Sequence, residues 1–246
     1  MFSDTTHASS DPQPNPARLQ PLVALRALRR LIQDPQRTEE VFNVLGALAG
    51  SSLVRGLRRF RQLPVGQQVL SERRVLLDQL LDQSALDVHP RGSLAAHYLR
   101  FVRNGNITAD GLVDASAGRE CYVNADQKLY SERLRDQHDL WHTLTDYGRD
   151  ELGEVCLLAF TYAQTRDRGI GVIALVGSCK VSQYYGRRVF GAVFRAYRDG
   201  RRAAWLPGQD WEAMLGEPIV TVRERLGLIT PVRYQALLAA GELSAA

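Results

Sequence analysis

The chain has 246 residues, 45% hydrophobic and 24% charged, with a formal net charge of +4. This is the composition of a soluble globular domain, long enough to bury a core without disulfide or metal staples. The mild basic excess is almost all arginine, and no nucleic-acid partner is expected from it. The three cysteines, Cys121, Cys156 and Cys179, are far apart and in no ligand spacing. They point to a reducing compartment, and Cys156 and Cys179, in apolar runs, are expected to be buried.

Residues 1–17 are polar and rich in Pro and Ser, with neither an apolar core segment nor an arginine-rich amphipathic pattern. They read as a disordered tail rather than a signal or transit peptide. No run reaches the roughly 18 apolar residues of a membrane span. Helical periodicity follows. Leu19, Leu22, Leu25, Leu28 and Ile32 recur at i, i+3 or i+4 within 17–34, beside Arg26, Arg29 and Arg30. Further amphipathic helices are predicted over 38–50, 51–63 and 64–83, the last opened by Pro64 at a favoured first position. A helix capped by Ser93 should run to Asn104, a loop should occupy about 106–125, and one long helix should span 125–146.

The pattern breaks at Tyr147-Gly148 and restarts over 149–165 with acids in its first turn. The apolar, glycine-bearing stretch 168–180 is compatible with a strand, but nothing nearby supplies strand partners, so a buried helix is predicted. Residues 181–200 continue as helix, and a short helix begins at Pro218. No internal repeat and no series of alternating strands is present. The expected class is all-α, a single multi-helix domain over 18–232 with a C-terminal extension, 233–246.

Within "QHDLWHTLTDYGRDELGE" (137–154), His138 and His142 are i, i+4, and Asp139 and His142 are i, i+3. On a helix these three share one side. Glu154 follows twelve positions after His142, and a break at Gly148 would let it fold back to complete a His/Asp/His/Glu set. Such nitrogen and oxygen ligands suit zinc, and also iron or manganese. A zinc-protease helix carries H-E-x-x-H with a catalytic glutamate; here that position is Asp139, one methylene shorter. A polar, solvated helix face explains the same spacing about as well, and the acid in a first turn is common in its own right. A His-Asp phosphohydrolase site built on His138-Asp139 with His97 upstream is a weaker third reading, because no later aspartate stands in a helical context.

The ordered blocks around this stretch resemble the coenzyme Q biosynthesis protein 4 family. Its hallmark reads here as Arg135, His138-Asp139-Leu140-Trp141-His142 and then Glu154. "HPRGSLAAHYLRFV" upstream, and "LGEVCLLAFTYAQT", "DGRRAAWL" and "WEAMLGEPIVTVRERLGL" downstream, are similar to its other segments in order and spacing. Two positions depart from the pattern, Ala95 for glycine and Val102 for methionine. The resemblance implies an all-α fold with an apolar lipid-binding groove and a metal, usually zinc, on His138, Asp139, His142 and Glu154. It implies action in ubiquinone synthesis on a 4-hydroxy-3-methoxy-5-polyprenylbenzoate, removing the C1 carboxyl group with coupled hydroxylation. Its other implied role is a non-catalytic scaffold that binds prenyl lipid and organises the biosynthetic enzymes at the membrane.

Three residues are expected to act beside the metal. Arg135, at i−3 from His138, could clasp the substrate carboxylate, and Asp146 and Tyr147 are candidate acids for protonating the ring. Helices 21–33 and 168–180 are candidates to line the prenyl groove, with Arg29 and Arg30 resting on anionic headgroups. The expected setting is the bacterial cytoplasm, peripheral to the inner face of the cytoplasmic membrane, with a homodimer compatible with these features.

Overall fold

A computed structural model describes residues 19–33, 38–48, 51–105 and 122–245. The expected N-terminal tail and most of the 106–125 loop, with Cys121, lie outside these residues. The described residues form helices and no strand; a lone bridge joins Ser93 to Pro218. The all-α expectation holds.

The N-terminal half comprises α1 (Pro21–Gln33), α2 (Thr38–Leu48), α3 (Ser52–Phe60), α4 (Pro64–Glu72), α5 (Leu76–Leu81), α6 (Gln83–Asp87) and α7 (Leu94–Gly105). The single helix predicted over 64–83 is thus broken. Arg73 adopts a left-handed conformation (φ 54°) and ends α4, and Asp82 caps α6 by accepting from Ala85 N. Ser93 caps α7 as expected, its Oγ accepting from Ala96 N at 3.2 Å. The start of α7 is pinned by Leu94 N donating to Glu217 O and Ile219 N to Gly92 O, both 2.9 Å.

The C-terminal half comprises α8 (Ala125–Asp136), α9 (His138–Thr145), α10 (Glu151–Thr165), α11 (Arg168–Tyr185), α12 (Arg188–Arg202), α13 (Trp211–Met214), α14 (Ile219–Leu226) and α15 (Val232–Ala245). Helix α10 is the hub. It buries Leu152, Val155, Cys156, Leu157, Ala159, Phe160 and Ala163, so it is apolar around most of its circumference, as a central helix must be. Its one buried amide, Gln164, is fully used: Nε2 donates to Gly200 O and Ala204 O, and Oε1 accepts from Leu206 N. That knot ties α10 to the end of α12, and a buried amide left without those partners would cost about 1–3 kcal/mol.

Two sequence expectations are corrected here, and the C-terminal extension and α1 are placed. The stretch 168–180 is helical, but its helix runs to Tyr185 and stops at Gly186, whose φ of +70° favours glycine, so α12 is a separate element. Cys179 is exposed, whereas Cys156 is buried. The C-terminal extension is helical, and its Tyr234 and Leu237 join the main core. Finally, α1 buries Ala24 and Ala27 and turns its leucine stripe outward, with Leu22 69% and Leu25 62% exposed. Ala27 packs with Val44 of α2 and Ile173 of α11 in a small second core. Helix α2 packs against both α1 and α11.

Candidate metal centre

The long helix predicted over 125–146 is two helices. At Gln137 the chain tightens (φ −80°, ψ −1°), ending α8 and starting α9 at His138. Gln137 is fully buried, and its Oε1 accepts from Trp211 Nε1 at 2.6 Å. One turn earlier, the buried Arg133 makes a bidentate pair with Glu212, both contacts at 2.7 Å, and donates to Gln209 O at 3.1 Å. The break is thus fastened to the 209–212 segment by two buried polar side chains, Gln137 and Arg133.

Helix α9 carries His138, Asp139 and His142 on one side, as the spacing requires. One ligand atom from each lies within 4.8 Å of the other two. The imidazole Nε2 atoms of His138 and His142 are 3.2 Å apart. Glu154, in the first turn of α10, brings its carboxylate to 3.4 Å from His142 Nε2 and 3.8 Å from His138 Nε2. The side chain of His142 is 1% exposed, His138 26% and Glu154 39%, so the cluster is sealed behind His142 and open beside Glu154.

The return of Glu154 to the histidines has a different cause from the glycine break expected at 148. Asp146 takes the left-handed conformation (φ 56°) that ends α9, a role its short polar side chain tolerates. Gly148 is needed for space: a Cβ there would lie 2.5 Å from Tyr234 Oη. Gly153 is tighter still, since a Cβ would sit 2.2 Å from Gly148 O. Asp150 caps α10, accepting from Gly153 N at 2.9 Å, and Tyr234 Oη accepts from Gly148 N at 2.9 Å. Two glycine surfaces in contact, one cap and one tyrosine fix where α10 begins, and hence where Glu154 points.

The left-handed turn also sets the tautomer. It brings the Tyr147 carbonyl to 2.9 Å from His142 Nδ1. A carbonyl only accepts, so Nδ1 carries a proton and Nε2 is the atom that faces His138 and Glu154. The ring of Phe101, from α7, stacks on His142 at 5.3 Å and holds its plane. Burial and the neighbouring His142 charge push His138 below the ordinary histidine range, against the pull of Glu154. Burial raises Glu154, but the hydrogen bond and charge of His142 outweigh it and keep the carboxyl below its ordinary value. Burial lowers His142, but the hydrogen bond and charge of Glu154 and the Tyr147 carbonyl outweigh it and raise its pKa. A metal bound there would displace the Nε2 proton of His142 and meet a neutral His138 and an ionised Glu154, a donor set that fits a divalent ion.

The other expected site residues are placed elsewhere. With the helix broken at Gln137, Arg135 is not held on the histidine face by helical register; its Nε and Nη2 donate to Asp136 at 3.1 and 3.0 Å. Asp146 pairs with Arg223, which also donates to the carbonyls of Leu144 and Thr143 and so neutralises the C-terminal end of α9. The Tyr147 side chain is buried, its ring packs edge-on to Tyr234 at 5.5 Å, and burial raises its phenol well above the ordinary range. His97 is drawn into the field of Arg100, Arg223 and Asp146. Sequence reasoning missed Phe101, Arg223 and the Tyr147 carbonyl. Phe101 had a signal, as the aromatic in "AHYLRF"; the carbonyl had none, because it depends on backbone conformation alone.

Comparison with known proteins bears on the family and the fold. The family model described as "Coenzyme Q (ubiquinone) biosynthesis protein Coq4" matches residues 15–232. The mitochondrial ubiquinone biosynthesis protein COQ4 homolog of Xenopus tropicalis is 28% identical over 235 residues, covering 95% of this chain and 82% of its own. That of Rattus norvegicus is 29% identical over 216 residues, covering 87% and 79%. A crystal structure from Nostoc punctiforme, of a protein named for ubiquinone biosynthesis, superposes with a TM-score of 0.60. It is 23% identical, covers 85% of this chain and 99% of its own, and shows the shared fold.

Proposed function

This chain belongs to the Coq4 family of coenzyme Q (ubiquinone) biosynthesis proteins, and from that premise we propose that it removes the C1 carboxyl group of a 4-hydroxy-3-methoxy-5-polyprenylbenzoate with a metal held by His138, Asp139, His142 and Glu154. The observation that carries this reading is the His142 Nδ1 contact to Tyr147 O, which turns the other ring nitrogen toward three further donors. Zinc or iron bound there would supply a Lewis acid for an oxygen of the substrate, and iron alone could serve a coupled oxidation.

His142 holds a proton at Nδ1, where Tyr147 O accepts it, and turns Nε2 toward His138 and Glu154. Phe101 and the buried side of His142 exclude water from behind the site, while Glu154 leaves its front accessible to an aromatic headgroup. Structural zinc sites are usually closed, whereas catalytic sites keep an open position, and the exposure of Glu154 favours the second. In simple decarboxylation the C1–carboxyl bond breaks, the electron pair stays on the ring and a proton is taken up at C1. Hydroxylation at that carbon needs an external oxidant and a redox metal in place of zinc.

The second reading, a prenyl-lipid-binding scaffold with a structural metal, draws on α1. Its exposed leucines, with Arg26, Arg29 and Arg30 on the same helix, suit a membrane surface or the other ubiquinone biosynthesis proteins. Among the described residues no helix is long and apolar enough to cross a membrane. The deciding experiment follows release of labelled CO2 from carboxyl-labelled substrate by purified protein, with metal content measured on the same samples. The enzymatic reading expects wild type to turn over and a folded, metal-depleted His142→Ala to be inert. Equal turnover by both refutes it, and an inert wild type that still binds prenyl lipid favours the scaffold.

A further inference from the structure

A second cleft lies on a different face of α7 from Phe101. It has a volume of about 440 Å³, within the range of small-molecule sites. Its floor is Leu86, Leu99 and Ala96, and the small Ala96 leaves the helix surface hollow at that point. Its rim carries Arg91 from the turn before α7 and Arg100 and Arg103 from α7 itself. Arg100 and Arg103 are i, i+3 and so stand side by side. Arg103 is paired with Asp87. Arg91 and Arg100 are exposed, and among the described residues neither is paired with a carboxylate.

We infer that this cleft binds a phosphate-bearing anion between Arg91 and Arg100, with Arg103 beside them. Three guanidiniums against one carboxylate leave two positive charges unmatched, which suits a phosphate monoester or diphosphate better than a singly charged carboxylate. Guanidinium forks bind phosphate oxygens bidentately, and the apolar floor gives room for the organic part of the ligand. The phosphate could belong to a soluble ester or to a lipid headgroup. The site uses none of the histidine cluster, so its success or failure is independent of the metal reading.

The test uses the full chain. Inorganic pyrophosphate is titrated by calorimetry, and vesicles of phosphatidylcholine, with and without phosphatidylglycerol, are used for cosedimentation. The variants are Arg91→Gln/Arg100→Gln, a cleft-filling Ala96→Leu that keeps every charge, and a control, Arg58→Gln/Arg198→Gln, that removes as much charge from exposed positions on α3 and α12. The expected result is a loss of roughly tenfold or more in affinity for the double variant and for Ala96→Leu, with the control near wild type. Selective loss of pyrophosphate binding alone identifies a soluble phosphate ester; selective loss of phosphatidylglycerol vesicle binding identifies a lipid headgroup. If neither probe binds, or the control loses as much as the cleft variants, the inference is wrong. Unchanged far-UV circular dichroism melts separate binding from unfolding.

Discussion

Replacing Arg133 by Met should be among the most damaging single changes outside the ligand set. The substitution keeps much of the side-chain volume but leaves the Glu212 carboxylate buried without its two 2.7 Å contacts. Breaking one partner of a buried pair typically costs about 3–5 kcal/mol. At roughly 2–4 °C per kcal/mol for a chain of this size, the midpoint of thermal unfolding should drop by roughly 6–20 °C. The pH dependence supplies a sharper signature. In the wild type burial raises Glu212, but the Arg133 hydrogen bonds and charge overcome it, and its pKa is lowered. A depressed carboxyl pKa contributes stability above the unfolded value of about 4.3, and loses it as pH falls through the folded value. In the variant burial is opposed only by the backbone N–H of Glu212 and the charge of Arg74, so the folded pKa rises and the folded state binds the proton more readily. The gap between variant and wild type should therefore be widest at neutral pH and shrink on acidification to about pH 4. The double variant Arg133→Met/Glu212→Leu should recover most of the loss. Chemical denaturation at several pH values measures all three. A loss below about 1 kcal/mol, or a gap independent of pH, would refute the claim that this pair fastens the Gln137 break.

Three further outcomes follow from the site. Gly153→Ala places a Cβ 2.2 Å from Gly148 O, so it should destabilise by about 1–3 kcal/mol and displace Glu154, read as weakened metal retention on dialysis. Asp146→Asn keeps a residue that tolerates the left-handed turn, so turnover should fall little, whereas Asp146→Val should lose metal; a dead but metal-loaded Asn variant would restore Asp146 as an acid. Ending the chain at Pro231 removes Tyr234, the acceptor for Gly148 N and donor to Asp150, together with Leu237, and should lower the unfolding midpoint markedly; an unchanged melt would show that the domain ends before α15.

The helical class and the three α9 members of the cluster were legible because both depend on local periodicity. His138, Asp139 and His142 share a helical side whatever surrounds them. The contacts that the other candidate residues make depend on tertiary fit. The 125–146 pattern is helical throughout, yet the chain breaks at Gln137, where a buried amide meets Trp211 and Arg133 meets Glu212 some 75 residues away. That break removed the register argument for Arg135. Asp146 and Tyr147 were sensible acids by position, but which way each side chain faces is decided by Arg223 and Tyr234, from helices much later in the chain. In α1 the amphipathic pattern shows that one face is apolar but not which way it turns, and the helix buries its alanines.

The central claim is that His138, Asp139, His142 and Glu154 hold a metal with one side open. X-ray absorption at the metal edge of the purified, metal-loaded protein tests it most directly. The account predicts a first shell of nitrogen and oxygen only, with two imidazoles, at roughly 2.0–2.2 Å. His142→Ala should retain little metal, and whatever it retains should show one imidazole fewer, while an aryl carboxylate added to the wild type should perturb the shell through the open side. A shell containing sulfur, or one unchanged by His142→Ala, would contradict it.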